Sequence, residues 1–204
     1  MMSSSFARWY DFFMSPLEQS KFKKVRIELL ASAHGRVLEL GSGTGINFPL
    51  YRGVDHVMAI EPSQHMIDRS QEKHKQAVVP IEIVKASAEQ LPFDDNTFDT
   101  VVATLVFCTI PNMKQAIEEM KRVCKPEGEI LLFEHVKMEN KALSTLQNML
   151  TPAWKKICDG CCLNRETLNT FRAHGMSIEK IEKFYKDLFI IAKLRNSKNT
   201  AFEN

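Results

Sequence analysis

The sequence VLELGSGTG, at residues 37–45, passes from a short apolar run into three glycines that alternate with small hydroxyl residues. This pattern is typical of a buried strand that ends in a ligand-binding turn. Glycine permits backbone angles closed to other residues and lets a ligand lie directly against the main chain. A helix beginning near Gly45 would add free N–H groups to the same crevice. We therefore interpret Gly41, Gly43 and Gly45 as ligand-binding residues, the alternative being a tight turn with no ligand.

The spacing of these glycines does not match the two common phosphate-binding loops. The dinucleotide fingerprint GxGxxG, counted from Gly41, requires a glycine where Ile46 stands, and the count from the next glycine reaches Phe48. The phosphate loop requires a lysine directly after its last glycine, and none follows Gly45. A GxGxG loop favours a cofactor that carries an adenosine but no phosphates.

Glu61 occupies the position at which a ribose would be held. Residues 57–60 have the composition of a buried strand, and Glu61 closes that strand twenty positions after Gly41. An acidic side chain there can accept hydrogen bonds from both ribose hydroxyls. Pro62 follows, where a helix can start. The alternative is a solvent-facing glutamate at a strand end.

Several motifs in sequence order resemble those of class I S-adenosylmethionine-dependent methyltransferases, the type 11 group. They are VLELGSGTG at 37–45, Glu61, ASAEQLPF at 86–93, FDTVV at 98–102 and KPEG at 125–128. FEHV at 133–136, PAWKKICDGCCLNRET at 152–167, and GINF at 45–48 with Tyr51 are similar to the methyltransferase-like 7 subfamily of alkyl thiol methyltransferases. The resemblance implies S-adenosyl-L-methionine as the cofactor and a small molecule as the methyl acceptor.

We assign the predicted cofactor contacts to the ends of four predicted strands. Family members often place an aspartate against the adenine amino group, whereas this chain has Ser87 before Ala88, so a serine oxygen or a backbone group would make that contact. The assigned residues are Glu39, Gly41, Ser42, Gly43, Gly45, Glu61, Pro62, Ser87, Ala88 and Thr104.

Strands that alternate with helices predict parallel pairing through right-handed crossovers and a three-layer α/β sandwich. The fold class is Rossmann-like, with a mostly parallel seven-stranded sheet and an antiparallel C-terminal strand. Asn112 is expected to cap the helix at 113–124, whose apolar stripe includes Cys124. The predicted helices are 46–52, 63–77 and 113–124, and the predicted strands are 56–60, 80–85, 98–104, 128–135, 177–184 and 188–194.

The 204 residues, 44% of them hydrophobic, fit a single domain. We divide it into an N-terminal helical lid (1–34), a cofactor-binding core (35–136), a substrate-cap insertion (137–176), a C-terminal hairpin (177–194) and a polar tail (195–204). One or two helices are expected within residues 6–31. The resembled family folds such helices over the cofactor, which makes Tyr10 a candidate substrate contact.

The predicted floor between cofactor and acceptor is largely apolar. Because methyl transfer removes the positive charge of the sulfonium, such a site gains mostly from orienting the acceptor and excluding water. Phe107, Cys108 and Trp154 are the candidate substrate contacts beside Tyr10. An apolar floor suits an apolar acceptor.

A thiol must ionise to attack well, and a neighbouring base or positive charge would help. His135, at a predicted strand end, is the candidate catalytic base, although a structural hydrogen-bonding role is an equal alternative. Asp159 is a second candidate, and alternation along the strand would turn Glu134 to the opposite face.

The five cysteines fit reduced thiols better than a disulfide framework. Cys158, Cys161 and Cys162 invite a zinc interpretation, but no second pair follows at a suitable spacing, so no metal is predicted and these cysteines are expected to line or brace the pocket.

Charge and hydropathy restrict the partners. The net charge is +2, and the basic cluster at 21–26 is interpreted as a solvated helix face, so no nucleic acid is expected. No signal peptide and no membrane span are expected, unlike the anchored animal members of the subfamily, and the predicted location is cytoplasmic. Oligomeric state stays open.

The predicted function is S-adenosylmethionine-dependent methyl transfer to a small molecule, for which an apolar thiol is the best match. A quinone-like, phenolic or arsenic acceptor would share every cofactor motif, and arsenic chemistry would require paired reactive cysteines near the sulfonium. A nucleotide-dependent oxidoreductase is disfavoured by Ile46. A non-catalytic cofactor-binding protein is the remaining alternative.

Overall fold

The computed structural model describes residues 21–158 and 160–197. Its helices are α1 (Lys23–Leu30), α2 (Gln64–His74), α3 (Met113–Val123), α4 (Lys141–Ile157) and α5 (Thr167–Ala173). Its strands are β1 (Arg36–Leu40), β2 (His56–Ile60), β3 (Ile81–Val84), β4 (Phe98–Thr104), β5 (Cys124–His135), β6 (Ser177–Phe184) and β7 (Phe189–Arg195). No helix of the described part is both long and apolar enough to cross a membrane.

The seven strands form one sheet in the order β3-β2-β1-β4-β5-β7-β6. The strands β1 to β5 pair in parallel, and β7 runs antiparallel to both of its neighbours. This confirms the predicted fold class, including the C-terminal hairpin. In the register, Leu40 pairs with Ile60 on one side and Ala103 on the other. The loops that follow β1, β2 and β4 therefore leave the sheet at the same level.

Apolar side chains cover both faces of the sheet and make the three layers. On one face, α3 packs through the predicted stripe, in which Ala116, Ile117 and Met120 are fully buried. Burial of a side chain as large as Ile117 or Met120 contributes about 1.5–3 kcal/mol to stability. Asn112 caps this helix as predicted, because its side-chain oxygen accepts the N–H of Gln115. Cys124 is fully buried, as expected, but it begins β5 rather than ending the helix.

The opposite face is covered by α1 and the residue before it: Phe22, Leu29 and Leu30 are buried there. Phe22 also packs edge-on against Phe133 of β5, with ring centroids 5.1 Å apart. The remainder of the region 6–31, including Tyr10, lies outside the described residues.

The predicted helix at 46–52 is wrong. The chain forms a turn, in which the Gly45 N–H donates to the Ser42 carbonyl, followed by a single 3-10 turn at Phe48–Leu50. Pro49 lies inside that turn and has no N–H to continue an α-helix. The remaining predicted ranges differ from the observed ones mainly at their ends: α2 stops at His74, and β5 starts before residue 128.

The insertion before the hairpin contains α4 and α5. Asn140 begins α4, since its side-chain oxygen accepts the N–H groups of Ala142 and Leu143. The buried Gln147 donates to the carbonyls of Val136 and Leu163. These bonds fix α4 beside the carboxyl end of β5, where the cap was expected.

Candidate active site

A cavity of about 830 Å³ opens at the carboxyl ends of the parallel strands. Its walls come from the loops after β1, β2, β3 and β4, from the end of β5, and from the C-terminal part of α4 with the turn that follows. Ligands of open α/β sheets bind in this crevice. The cavity is therefore the candidate active site, and its volume lies within the range of small-molecule pockets.

The three glycines of the first loop serve different purposes, although all have positive φ, at 61°, 55° and 73°. A Cβ on Gly41 would lie 2.3 Å from Val106 Cγ2, and a Cβ on Gly45 would lie 2.7 Å from Phe48 Cδ2. A Cβ on Gly43 would meet no atom within 4 Å. Gly41 and Gly43 line the cavity, whereas Gly45 does not. The structure thus explains Gly45 by packing rather than by ligand contact.

Glu61 lies where the sequence placed it, and its carboxylate holds the glycine loop. Oε2 accepts the N–H of Gly43 at 3.0 Å, and Oε1 accepts the N–H of Ser63 at 2.9 Å. Burial raises the pKa of this carboxyl group, and the two N–H donors oppose that rise. Glu61 and Pro62 both line the cavity. Each carboxylate oxygen retains a lone pair for a further donor.

Ser87 and Ala88 line the same cavity at the end of β3. The Ser87 hydroxyl is already engaged, since it donates to the carboxylate of Glu89. The other oxygen of Glu89 accepts the N–H of Asn112 at 3.2 Å. The serine oxygen is thus held in place and can still accept a hydrogen bond from a ligand.

A buried polar network lies beneath the glycine loop. Glu39 accepts hydrogen bonds from Asn47 Nδ2 at 2.9 Å and from the Tyr51 hydroxyl at 3.0 Å. Arg26 Nη1 donates to Asn47 Oδ1 at 3.1 Å and to Thr104 Oγ1 at 2.7 Å. Burial raises the pKa of Glu39 to about 7, although these donors and the Arg26 charge oppose the rise. Glu39 and Thr104, both predicted contacts, line the cavity together with Arg26 and Asn47.

The sequence interpretation of residues 21–26 as a solvated basic face is wrong for Arg26, which is 4% exposed. Sequence reasoning also missed Asn47. A signal was available for Arg26: it follows Phe22 by one helical turn, on the same helix face as that buried ring. A basic residue on an apolar face usually has a buried partner.

The floor of the cavity is held by Glu134. Its Oε1 accepts the N–H groups of Val106 and Phe107, at 2.9 and 3.1 Å, and burial raises its pKa to about 7. These bonds fix the loop after β4, in which Leu105 has a φ of 55°. Phe107 points into the core against Phe171, with ring centroids 5.0 Å apart, and does not line the cavity. The structure therefore does not place Phe107 as a substrate contact.

His135 reaches the cavity together with two cysteines. Its Nε2 lies 3.2 Å from Cys161 Sγ, and the ligand atoms of Cys108, His135 and Cys161 all lie within 4.8 Å of one another. Hydrogen bonds from Cys108 and His135 lower the pKa of the Cys161 thiol. Burial lowers the pKa of His135, but its bond to Cys161 and the charge there raise it overall. The imidazole thus faces a thiol that ionises more readily than an ordinary cysteine.

Some of the other predicted substrate residues line the cavity, and others lie away from it or outside the described part of the chain. Cys108, Trp154, Cys158 and Cys161 line the cavity, whereas Cys162 does not. The candidate contact Tyr10 and the alternative base Asp159 lie outside the described residues. Spacing along the chain gave no sign that Cys108 and His135 would meet Cys161.

Comparison with known proteins gives independent matches. Residues 38–132 match the model of a methyltransferase domain. The chain is 34% identical over 153 residues to the phosphatidylethanolamine N-methyltransferase of Cereibacter sphaeroides, which covers 73% of this chain and 75% of that protein. It is 31% identical over 166 residues to the human thiol S-methyltransferase TMT1B, which covers 76% of this chain and 68% of the relative.

Among solved structures, a SAM-dependent methyltransferase from Aquifex aeolicus matches with a TM-score of 0.63 and 19% identity, over 96% of this chain and 99% of that one. At this identity the likeness concerns the fold. It agrees with the fold class described above.

Proposed function

Since the chain belongs to the class I S-adenosylmethionine-dependent methyltransferases, we propose that it transfers the methyl group to the sulfur of a small apolar thiol. The choice of a thiol as acceptor rests on the 31% identity to a thiol S-methyltransferase over 166 residues. This stretch is longer than the region 38–132 matched by the domain model. The cofactor is S-adenosyl-L-methionine.

In this proposal the cofactor lies along the loops after β1, β2 and β3. Gly43 admits it against the main chain, Glu61 accepts its ribose hydroxyls, and Ser87 with Ala88 borders the adenine. Support comes from the open space at Gly43 and from the carboxylate that both Gly43 and Ser63 already orient. Because these groups are held before the ligand arrives, little ordering remains to be done on binding.

The acceptor would enter beside Trp154 and the thiols. A cysteine thiol has an unperturbed pKa of about 8.5. An alkyl thiol is a weaker acid, because it lacks the electron-withdrawing amide groups of the backbone, so only a very small share of it is ionised at neutral pH. Arg26, which lines the cavity, carries a positive charge that favours a thiolate over a thiol. The sulfur then attacks the methyl carbon in line with the departing sulfonium sulfur, which leaves as neutral S-adenosylhomocysteine.

A lipid amine is the second candidate acceptor. The 34% identity to a phosphatidylethanolamine N-methyltransferase favours it, and so does an exposed apolar stripe on α4. In that stripe Met149 is 73% exposed and Ile157 is 68% exposed, and Trp154 joins it to the cavity. Such a stripe suits contact with an acyl chain.

The test is methyl transfer from S-adenosylmethionine labelled in its methyl group to a panel of acceptors. The panel contains hexanethiol, hexanol as its oxygen analogue, a phenol, a quinol, arsenite, and phosphatidylethanolamine in vesicles. We expect labelled methyl hexyl sulfide, with no label on hexanol. Methylation of the lipid amine with no thioether would overturn the thiol in favour of the second candidate. Methylated arsenic alone would assign the paired cysteines to that acceptor.

A further inference from the structure

Two thiols and one imidazole, far apart in the sequence, form a compact set of donors at one side of the cavity. The ligand atoms of Cys108, His135 and Cys161 lie within 4.8 Å of one another, and all three residues line the cavity that contains Gly43. Two thiolates and an imidazole are ligands that zinc prefers.

The spacing of these atoms fits one metal ion. Bonds of about 2.0–2.1 Å to nitrogen and about 2.3 Å to sulfur in a tetrahedron place nitrogen and sulfur about 3.6 Å apart, and two sulfurs about 3.8 Å apart. His135 Nε2 lies 3.2 Å from Cys161 Sγ, so this pair needs a shift of a few tenths of an ångström. The two pairs that include Cys108 lie within 4.8 Å, so they need a shift of no more than about 1 Å. The three residues can therefore occupy three corners of a tetrahedron.

The surrounding backbone holds this set together. The Cys162 N–H donates to the Cys108 carbonyl at 2.9 Å, which fixes the turn after α4 against the loop after β4. The Cys161 N–H donates to the Cys158 carbonyl at 2.9 Å within that turn. Glu134, next to His135, fixes the loop before Cys108 through two N–H groups. The backbone hydrogen bond from Cys162 and the Glu134 carboxylate thus independently hold the segments that carry the three donors close together.

Within residues 21–158 and 160–197 the cluster offers three protein ligands, which leaves one position of a tetrahedral zinc ion free. Structural zinc sites are closed by four protein ligands, whereas catalytic sites keep a position for water or substrate. Cys158 lines the cavity but does not belong to the cluster of donors within 4.8 Å. Since all three ligands line the cavity, the free position would face the space in which the acceptor lies.

Building on the proposed thiol acceptor, we propose that Cys108, His135 and Cys161 bind a zinc ion whose free position takes the sulfur of that acceptor. This replaces the expectation, based on spacing, that the protein holds no metal. A thiol that coordinates a metal ion loses its proton. The zinc would thus supply the ionised sulfur that methyl transfer requires.

The reaction balances in two steps. The thiol displaces a zinc-bound hydroxide, which leaves as water with the thiol proton, and a zinc–sulfur bond forms. A sulfur electron pair then forms the bond to the methyl carbon, while the electrons of the broken methyl–sulfonium bond stay on the cofactor sulfur. The neutral thioether is a weak ligand and leaves, and water that loses one proton to solvent restores the hydroxide.

The first experiment measures metal binding without turnover. The full chain is freed of metal by a chelator in the presence of a phosphine reductant, because a thiol reductant would act as both ligand and acceptor. Titration with Co²⁺ is expected to give one tetrahedral cobalt per chain with thiolate-to-cobalt charge-transfer absorption, and Zn²⁺ should abolish that spectrum. Cys161→Ser should weaken the charge-transfer band. Cys162→Ser, which changes a neighbouring thiol outside the cavity lining, should not.

A binding check keeps the variants interpretable. Each variant is titrated with S-adenosylhomocysteine, and a variant that binds it normally is folded around the cofactor. If Cys161→Ser fails this check, the cobalt spectrum of the wild-type protein still tests the proposal. Hexanethiol must change that spectrum, because it adds a third thiolate to the metal. An octahedral spectrum, or a spectrum that hexanethiol leaves unchanged, would overturn the proposal.

The second experiment measures turnover. At pH 7 a thiol of pKa about 8.5 is about 3% ionised, and hexanethiol is a weaker acid than that. Removal of zinc should therefore lower hexanethiol methylation by at least about 30-fold, and added Zn²⁺ should restore it. Full activity of the metal-free protein would overturn the zinc site and leave thiol methylation intact. Tetrahedral cobalt binding with no thiol methylated under any condition would instead overturn the acceptor and leave the metal ligands standing.

Discussion

Gly43→Ala is the substitution that tests most directly how the cavity admits its cofactor. A Cβ at this position meets no protein atom within 4 Å and would project into open space beside the loop. The chain supplies a matched control, because Gly53 also has a positive φ, 66° against 55°, and also has no atom within 4 Å of an added Cβ. Gly53 does not line the cavity.

The two substitutions should cost similar stability and differ in binding. Alanine in a left-handed conformation costs about 1–2 kcal/mol, which in a chain of this length lowers Tm by about 2–8 °C in both variants. Only Gly43→Ala places a methyl group between the main chain and the cofactor. Forcing a methyl group into a packed contact costs about 1–3 kcal/mol, or about 5-fold to 150-fold in Kd.

The assay is calorimetric titration of the wild type and both variants with S-adenosylhomocysteine, alongside thermal unfolding without ligand. Gly53→Ala should bind within about twofold of the wild type, since it changes stability alone. Equal affinity of the Gly43→Ala and Gly53→Ala proteins would refute the reasoning, because the loop would then not approach the cofactor closely.

Two further predictions follow from the buried carboxylates. Glu61→Gln keeps the side-chain shape but loses one hydrogen-bond acceptor and a charge. The binding free energy of S-adenosylhomocysteine should therefore weaken by about 1.5–3 kcal/mol in the same calorimetric assay. Unchanged affinity would show that Glu61 does not contact the ribose. Glu39 has a folded pKa of about 7 against an ordinary value of 4.5, so its contribution to stability is present below pH 4.5 and is lost as pH rises through about 7. Urea unfolding should therefore show that wild type loses up to about 3 kcal/mol over this range relative to Glu39→Gln, and parallel pH profiles would contradict that pKa.

The central part of the fold was predictable because local patterns and the global arrangement agree. The stripe on α3, Asn112 as its cap, and the alternation of strands and helices all indicate the same layered sheet. The positions of Gly41 and Glu61 beside the cavity were predictable for a related reason. Parallel strands end at the same level, so spacing along the chain translates directly into position at the sheet edge.

Side-chain hydrogen bonds that compete with helix formation explain why the helix predicted at 46–52, after the glycine loop, is absent. The pattern of a strand followed by glycines predicts a helix at 46–52, but Pro49 removes a donor inside it. The buried Asn47 and Tyr51 both bond to Glu39, so the segment follows their side chains rather than a regular helix. Here side-chain hydrogen bonds to one buried carboxylate outweigh helix propensity, which contributes only tenths of a kcal/mol per residue.

The cysteine and histidine cluster shows a different limit of sequence reasoning. Metal motifs are recognised when two ligands share one turn, so a search from Cys158 looks for a second close pair and finds none. In the structure the three donor side chains come singly from three segments, with His135 and Cys161 separated by 26 positions. Two features bring them together. The strands β4 and β5 end at the same edge of the sheet. The Cys162 N–H donates to the Cys108 carbonyl, which holds the turn after α4 against the loop after β4. The register of the strands and the packing of the insertion against the sheet edge therefore determine this site. Neither can be read from the spacing of residues along the chain.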